Sequence, residues 1–360
     1  MTRRAYPTWA AWSEDSVLVY RASAGQPEIE RLPRRTTAGL RYFVRLFRRS
    51  GALFLRSGDG AATRFDATDA AGRFHPVPDW PDRLTTLPLH RVVSLADGGF
   101  AGLPEEENIF LFQPGQAVAV RALPPGFRAR ALDQDEHGRL YAAGSTVTGR
   151  LRSMKRRHAF AISLDHGLSW QVDEKAHGRL AIAWHSLLSG AEVEYRTVTA
   201  AGRYLVLSAE VGEFGEESTL VFAQDPEGQW TSDVIRNDLF RAALAVGDQA
   251  IEIFSHRGMA ILVDATGRHR LDLAPRIARS LAEMDASPPA SARYEILGVD
   301  AQGTDIAVLV SIQAPGAQGL VRFGEAILTF GAEADRVVHL QRAPAPEVVS
   351  VCWGVAGRGP

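Results

Sequence analysis

A single cysteine, Cys352, occurs in the 360 residues. Its solitude excludes an internal disulfide framework and every metal site built from several cysteines. Within "VVSVCWGV" it reads as a small buried hydrophobe. No stretch approaches the ~18 consecutive apolar residues of a membrane span. The opening "MTRRAYPTWAAWSEDS" has two arginines, but Ser13, Glu14 and Asp15 end it before an apolar run of signal-peptide length can form. An excess of one charge is also missing. The 40 basic residues face 42 acidic ones, a formal net charge of −2, which argues against a nucleic-acid partner held by an overall positive field. A soluble, cytoplasmic protein is expected. Few lysines beside abundant alanine and arginine hint at a GC-rich bacterial genome.

Catalytic signatures are missing too. There is no Gly-x-Ser-x-Gly elbow, no Walker loop and no His-Glu-x-x-His. His158, His166, His177 and His185 lie within a short span, but their spacing matches no zinc pattern. The 33 glycines are spread as turn punctuation rather than gathered into a phosphate cradle. No metal and no cofactor is expected.

Strands are plentiful. "RYLVLSAEV" (203–211), "STLVFAQD" (218–225), "AIEIFSHRG" (250–258), "MAILVDATG" (259–267) and "DIAVLVSI" (305–312) are short runs rich in Val, Ile, Leu and Phe. Gly, Asp or Pro bounds most of them, the signal of antiparallel strands joined by tight turns. The turns recur as well. "DAAGRF" (69–74), "DPEGQW" (225–230) and "DATGRH" (264–269) share Asp-x-x-Gly-x-ring after an apolar strand. Aspartate can bond the backbone two residues on, and glycine takes the positive φ that closes a hairpin. "DEHGRLY" (135–141) and "DAQGTDI" (300–306) sit earlier in their strand groups and read as the preceding hairpin turn. Helical patterning is confined to 177–189 and 275–285.

The period of roughly 40 to 65 residues matches propeller blades of four strands. First strands are expected to start near Tyr42, His90, Arg128, Glu194, Arg241, Tyr294 and Val348. The last group has one strand, and the N-terminal "PTWAAW", "SVLVYRASAG" and "QPEIERLP" supply three that lack a first. The expectation is an all-β fold: one β-propeller domain over 1–360 with seven four-stranded blades. Pairing of the N- and C-terminal strands closes it, the closing blade being 1–35 plus 345–360. The irregular region 36–90 leaves six or eight blades open. Within it "LRYFVRLFRR" (40–49) alternates as a strand, yet also puts Leu40, Phe43, Val44 and Phe47 on one helical face and Arg41, Arg45 and Arg48 opposite. As an exposed helix it would suit a membrane surface; the repeat favours the strand.

"SLDHGLSW" (163–170) is a richer form of the same turn. Ser163-x-Asp165-x-Gly167-x-Ser169-Trp170 resembles the Asp-box, or BNR repeat, of sialidase-like β-propellers, with serine in place of threonine at 169. The resemblance covers one hairpin and implies a turn between a blade's third and fourth strands, at the rim away from the usual active face. Asp165 and Ser163 can accept backbone N–H bonds, Gly167 permits a left-handed kink, and Trp170 can bury its rings. None of these roles needs a substrate, so the motif is expected to fasten the scaffold. Sialidases of this kind also carry three arginines for a carboxylate, a Tyr–Glu nucleophile pair and an acidic Asp. Here "RLP" at 31–33 and "RIA" at 276–278 match the first arginine's segment poorly.

On a propeller, the strand-two-to-three loops emerge opposite that turn, and here they are charged. One contains Glu105, Glu106 and Glu107; the next Arg150, Arg152, Lys155, Arg156 and Arg157; the next Glu210, Glu213, Glu216 and Glu217. Trp184 and His185 could add an aromatic anchor. Clustered arginines suit carboxylates or phosphates, while flanking glutamates repel nucleic acid and suit a protein surface of mixed charge. The expected function is non-catalytic binding of a protein or peptide partner, as an adaptor, an assembly factor, or an inhibitor such as an immunity protein. The alternative is a divergent sialidase-like or other glycan-acting glycoside hydrolase.

Overall fold

The computed structural model describes residues 7–12, 16–22, 27–33, 43–49, 52–58, 63–69, 71–81, 84, 87, 91–95, 97–135, 137–148, 155–173, 193–211, 216–225, 228–236, 240–246, 250–255, 258–284, 288–302, 305–317, 319–331, 335–342 and 347–353. Among them, 28 strands form seven four-stranded antiparallel sheets, six of them meanders of strands consecutive in the chain and the seventh joining the last strand to the first three.

The chain begins with β1 (Pro7–Trp12), β2 (Ser16–Arg21) and β3 (Glu28–Pro33). The next sheet is β4 (Phe43–Arg49), β5 (Ala52–Gly58), β6 (Thr63–Thr68) and β7 (Phe74–Pro76). Then come β8 (Val92–Ser94), β9 (Phe100–Gly102), β10 (Asn108–Phe112) and β11 (Ala119–Ala122). A fourth sheet holds β12 (Phe127–Gln134), β13 (Leu140–Thr148), β14 (Lys155–Ser163) and β15 (Gln171–Asp173). It is followed by β16 (Val193–Ala201), β17 (Tyr204–Val211), β18 (Glu216–Gln224) and β19 (Trp230–Arg236). The sixth is β20 (Phe240–Val246), β21 (Ala250–Ser255), β22 (Met259–Asp264) and β23 (Gly267–Asp272). Helix α1 (Ala274–Ala282) leads to β24 (Arg293–Gln302), β25 (Asp305–Gly316), β26 (Gly319–Phe330) and β27 (Arg336–Arg342). Finally β28 (Glu347–Trp353) pairs antiparallel with β1, from Pro7↔Trp353 to Trp12↔Glu347. It thereby becomes the first strand of the sheet β28-β1-β2-β3. Seven such meanders, one completed from both chain ends, are the topology of a seven-bladed β-propeller, and the closure leaves no first strand with an open edge there.

Segment 43–49 is the strand β4, paired with β5 from Phe43↔Gly58 to Arg49↔Ala52. Val44 and Leu46 are buried and Arg45 is exposed, the period of two that a half-buried strand requires. The basic surface helix considered for 40–49 is therefore excluded over 43–49; residues 40–42 lie outside the described residues. The helix expected at 275–285 is α1, which buries Ile277 and Leu281 one turn apart. That expected at 177–189 lies outside the described residues.

By density of internal packing the chain divides into two compact units, Met1–Val77 with Glu252–Pro360, and Pro78–Ile251. In the first, Val17, Val19, Leu46, Leu55 and Phe74 fill the space between the closing sheet and β4–β7. Trp9, Leu309, Ile327 and Val351 do so between the closing sheet and β24–β27. Two side chains tie β28 to its neighbours: Ser350 Oγ accepts the Leu46 N–H at 2.9 Å, and the buried Glu325 Oε2 accepts that of Val348 at 2.7 Å. Cys352 is buried, and its thiol donates to Asp300 Oδ2 at 3.1 Å.

In the unit Pro78–Ile251, the first strands β8, β12, β16 and β20 lie side by side in succession. Leu103, Ile109, Ala129, Leu140 and Ala161 belong to one core between β8–β11 and β12–β15. Tyr141, Phe160, Leu205, Leu207 and Phe222 belong to the next, between β12–β15 and β16–β19. Asp133 Oδ2 accepts the Ala200 N–H at 2.8 Å across those two sheets. A register shift recurs along first strands. It falls between Ala129 and Ala131 in β12, Tyr195 and Thr197 in β16, and Ile296 and Gly298 in β24. Each is a β-bulge, inserting one residue that has no cross-strand counterpart.

Candidate functional site

A four-stranded meander puts its strand-one-to-two and three-to-four turns at one end and its two-to-three connection at the other. The two ends differ in chemistry. Aspartates fasten the first. Asp135 Oδ1 accepts the N–H groups of His137 and Arg139, both at 2.9 Å. Asp225 Oδ1 accepts that of Gln229 at 2.7 Å, and Asp69 Oδ1 those of Ala71 and Arg73, both at 2.9 Å.

The turn after β14 is the most heavily bonded of these. Ser163 is fully buried, and its Oγ accepts the Gly167 N–H at 2.7 Å while donating to Asp165 Oδ1 at 2.8 Å. Asp165 also accepts the Ser169 N–H at 2.8 Å and the Ser169 hydroxyl at 2.5 Å. Trp170 Nε1 donates to the Gly167 carbonyl at 3.2 Å. His166 and Gly167 take φ of 56° and 85°, and the second is where a glycine is needed. The turn's chemistry is thus consumed internally: each polar side chain of Ser163, Asp165, Ser169 and Trp170 is spent on the loop itself.

These bonds act on the Asp165 carboxyl. The Ser169 hydroxyl, the Ser169 N–H and the Ser163 hydroxyl hold its pKa down at about 2. A carboxyl whose folded pKa lies below its unfolded one, ~3.9, contributes stability that is present above the unfolded value and lost as pH falls through the folded one. Asp165→Asn is therefore expected to lower the urea midpoint at pH 7. The gap from wild type should narrow between about pH 4 and about pH 2. A gap that stays constant across that window would show that Asp165 acts through shape and not charge.

The other end carries charge. The β9–β10 connection holds Glu105, Glu106 and Glu107. Glu105 Oε2 accepts from Asn108 Nδ2 at 2.9 Å. Glu106 Oε1 lies 2.7 Å from Arg130 Nη1, its Oε2 lies 4.0 Å from Arg128 Nη1, and Glu107 Oε1 lies 3.5 Å from Arg128 Nε. The backbone here is seated as well: the Glu106 carbonyl accepts the Ala129 N–H at 2.7 Å, and that of Glu107 the Leu123 N–H at 2.9 Å.

Lys155, Arg156 and Arg157 open β14, opposite Thr148, Val147 and Thr146 of β13. Glu216 and Glu217 open β18, opposite Val211 and Glu210 of β17. Acidic, basic and acidic stretches of sequence thus fall at the same end of three successive sheets. Arg150, Arg152, Trp184, His185 and Glu213 lie outside the described residues, so that part of the expected face has no placement. Arg128 and Arg130 were not among the expected site residues. Their signal was in the sequence: in "FRARAL" the alternation puts both arginines on one face, beside buried Phe127 and Ala129.

Other groups with altered acid–base behaviour lie elsewhere. Burial pushes the Glu252 carboxyl up, against the pull of Arg276. Arg276 grips Asp335 with Nε and Nη2, each at 2.6 Å, and stands 4.3 Å over the Phe330 ring. Among the described residues no group of three or more His, Cys, Asp or Glu could hold a metal ion. Likewise, no helix among them is long and apolar enough to cross a membrane.

No family model and no curated protein sequence matches the chain. Solved structures resemble it over nearly its whole length. Apo AztD from Citrobacter koseri is 11% identical with a TM-score of 0.48, covering 97% of each chain. YCF48 from Cyanidioschyzon merolae is 9% identical with a TM-score of 0.46, over 92% of this chain and 97% of that one. The Dos1 propeller is 11% identical with a TM-score of 0.45, over 93% of this chain and 92% of the other.

Proposed function

We propose that this chain is a non-catalytic β-propeller, one domain over 1–360, that binds a protein or peptide partner through the strand-two-to-three end of sheets β8–β11, β12–β15 and β16–β19. One observation carries the proposal: acidic, basic and acidic segments succeed one another along three neighbouring sheets. A uniformly charged polyanion would be repelled by two of the three, whereas a protein surface of mixed charge can complement all of them. The opposite end supports the same division of labour. The bonds within its turn at 163–170 support the reading of that turn as an Asp-box-like fastening of the scaffold, with its polar side chains spent on the loop itself. An adaptor, an assembly factor or an inhibitor of a toxin or enzyme would all use such a face.

A glycan-acting hydrolase is the second reading, and Glu252 favours it. A carboxyl raised by burial and acted on by the same arginine that holds a second carboxylate supplies the acid and the anion that glycoside hydrolysis uses.

The test is affinity capture from native lysate at moderate salt, comparing wild type with a folded Arg152→Glu/Arg156→Glu/Arg157→Glu variant. A stoichiometric protein held by wild type and lost from the variant is expected. A protein retained equally by both would overturn the assignment of the face. An empty capture, joined to hydrolysis of an aryl glycoside by the wild type, would move the function to the second reading.

A further inference from the structure

Arg128 and Arg130 sit at the open end of β12, two residues apart on the same face, with side chains 39% and 33% exposed. Arg130 is the inserted residue of the β12 bulge, between Ala129↔Gly144 and Ala131↔Ala143. In the adjacent first strand β16 the same register step falls between Tyr195↔Ala209 and Thr197↔Ser208, so Arg196 holds the matching position. Bulges re-aim side chains and break the regular ladder, and they concentrate where a strand does more than pair. Arginine thus occupies the inserted sequence position in two neighbouring first strands. In β24 the same step inserts Leu297, so the bulge itself does not demand arginine.

What the pair takes is shown within the chain. Glu106 offers one carboxylate oxygen to Arg130 at 2.7 Å and the other toward Arg128 at 4.0 Å, with Glu107 also 3.5 Å from Arg128. Two acidic residues in succession, arriving on an extended connection, engage two arginines spaced along a strand. The Glu106 carbonyl is bonded to Ala129 of the next sheet and that of Glu107 to Leu123, just past β11 of its own sheet, so the acidic segment is fixed by its backbone and its side chains alone could yield. At these exposures each ion pair contributes little, ~0.2–1 kcal/mol, small enough for an external carboxylate to replace.

We propose that Arg128 and Arg130 receive an acidic segment of the partner polypeptide, and that Glu106 and Glu107 occupy the arginines internally until it arrives. This rests on the binding reading of the open end and names the chemistry of its partner. A forked guanidinium matches carboxylate geometry with two parallel N–H donors, which is why arginine and not lysine suits the role. The basic stretch Lys155, Arg156 and Arg157 opens β14 at the same end of the sheet.

The internal occupant makes the test specific, because the two sides of the ion pair must act with opposite sign. Anisotropy of a fluorescein-labelled decapeptide of alternating glutamate and glycine is titrated with the full chain at low salt. A glutamine–glycine decapeptide and a ten-nucleotide oligothymidylate serve as the other arms. Expected are binding of the glutamate peptide and none of the glutamine peptide. Glu106→Gln should tighten the glutamate peptide about two- to fivefold by removing the competitor. Arg130→Gln should weaken it about tenfold or more, and Arg130→Lys should recover only part of that loss.

A structural role for the pair predicts that Glu106→Gln weakens binding or leaves it unchanged, and either result overturns the proposal. So does the absence of glutamate-peptide binding, or oligothymidylate binding tighter than the peptide. Arg130→Gln in the lysate capture separates the two ideas. A partner lost from the Arg152/Arg156/Arg157 variant but kept by Arg130→Gln would overturn this site and leave the binding face standing.

Discussion

Replacing Phe160 by alanine should lower the stability of the folded chain by about 3–5 kcal/mol, the range for truncating a fully enclosed phenylalanine. Phe160 lies in β14 with no exposed surface. Its ring meets Phe222 edge-on, centroids 5.4 Å apart at 65°, and Trp230 at 5.1 Å and 77°. Those partners come from the following sheet, so the side chain fills the space between two sheets and not only its own. Its cross-strand counterpart is Ala143, also fully buried, too small to move into the vacated volume. The cavity would therefore stay open, and the edge-to-face contacts, worth about 0.5–1.5 kcal/mol beyond buried area, would be lost with it. Urea unfolding followed by tryptophan fluorescence reads the effect, with Phe160→Leu expected to retain more than half of the lost stability. A loss under about 1 kcal/mol would mean that this inter-sheet core is loosely packed.

The parts of the molecule that were legible in the sequence are those fixed by neighbours in the chain. First strands expected near Tyr42, His90, Arg128, Glu194, Arg241, Tyr294 and Val348 begin at Phe43, Val92, Phe127, Val193, Phe240, Arg293 and Glu347. Apolar runs bounded by glycine and aspartate set those starts, and both signals act within a few residues. The missing first strand at the N-terminus and the surplus strand at the C-terminus implied each other, and β28 pairs with β1. Segment 40–49 was ambiguous because leucine, phenylalanine and arginine satisfied both periods; only pairing with β5, a tertiary fact, decides it over 43–49.

The candidate site was legible as charge but not as geometry. Glutamates at 105–107 could be seen in a connection, yet their engagement by Arg128 and Arg130 depends on how one sheet meets the next. No local pattern reports that meeting. Bulges are equally silent, since a register shift exists only once the partner strand is known. Asp135 and Asp165 turns could be read because an aspartate and the N–H groups it binds lie two to four residues apart.

Gly144 is where the fold and the candidate site become one question, and Gly144→Ala should cost about 3 kcal/mol or more, at the upper end for overpacking. A β-carbon built there would stand 1.9 Å from the Arg128 carbonyl oxygen and 2.9 Å from the Ala129 Cα. Both obstacles are backbone, so no rotamer change relieves them. The close approach sits beside the bulge: Gly144 opposes Ala129, the residue before the inserted Arg130. A single methyl group must therefore either unfold this corner or push β12 away from β13, and the second response shifts Arg128 and Arg130 together. Two measurements on one variant separate the responses. A lowered urea midpoint is expected in either case. If the surviving folded fraction binds the glutamate–glycine peptide more weakly than wild type, the bulge is what aims the arginines. If its affinity is unchanged, Arg128 and Arg130 are held by the Glu106 and Glu107 contacts instead, and the bulge serves only the packing of first strand on first strand.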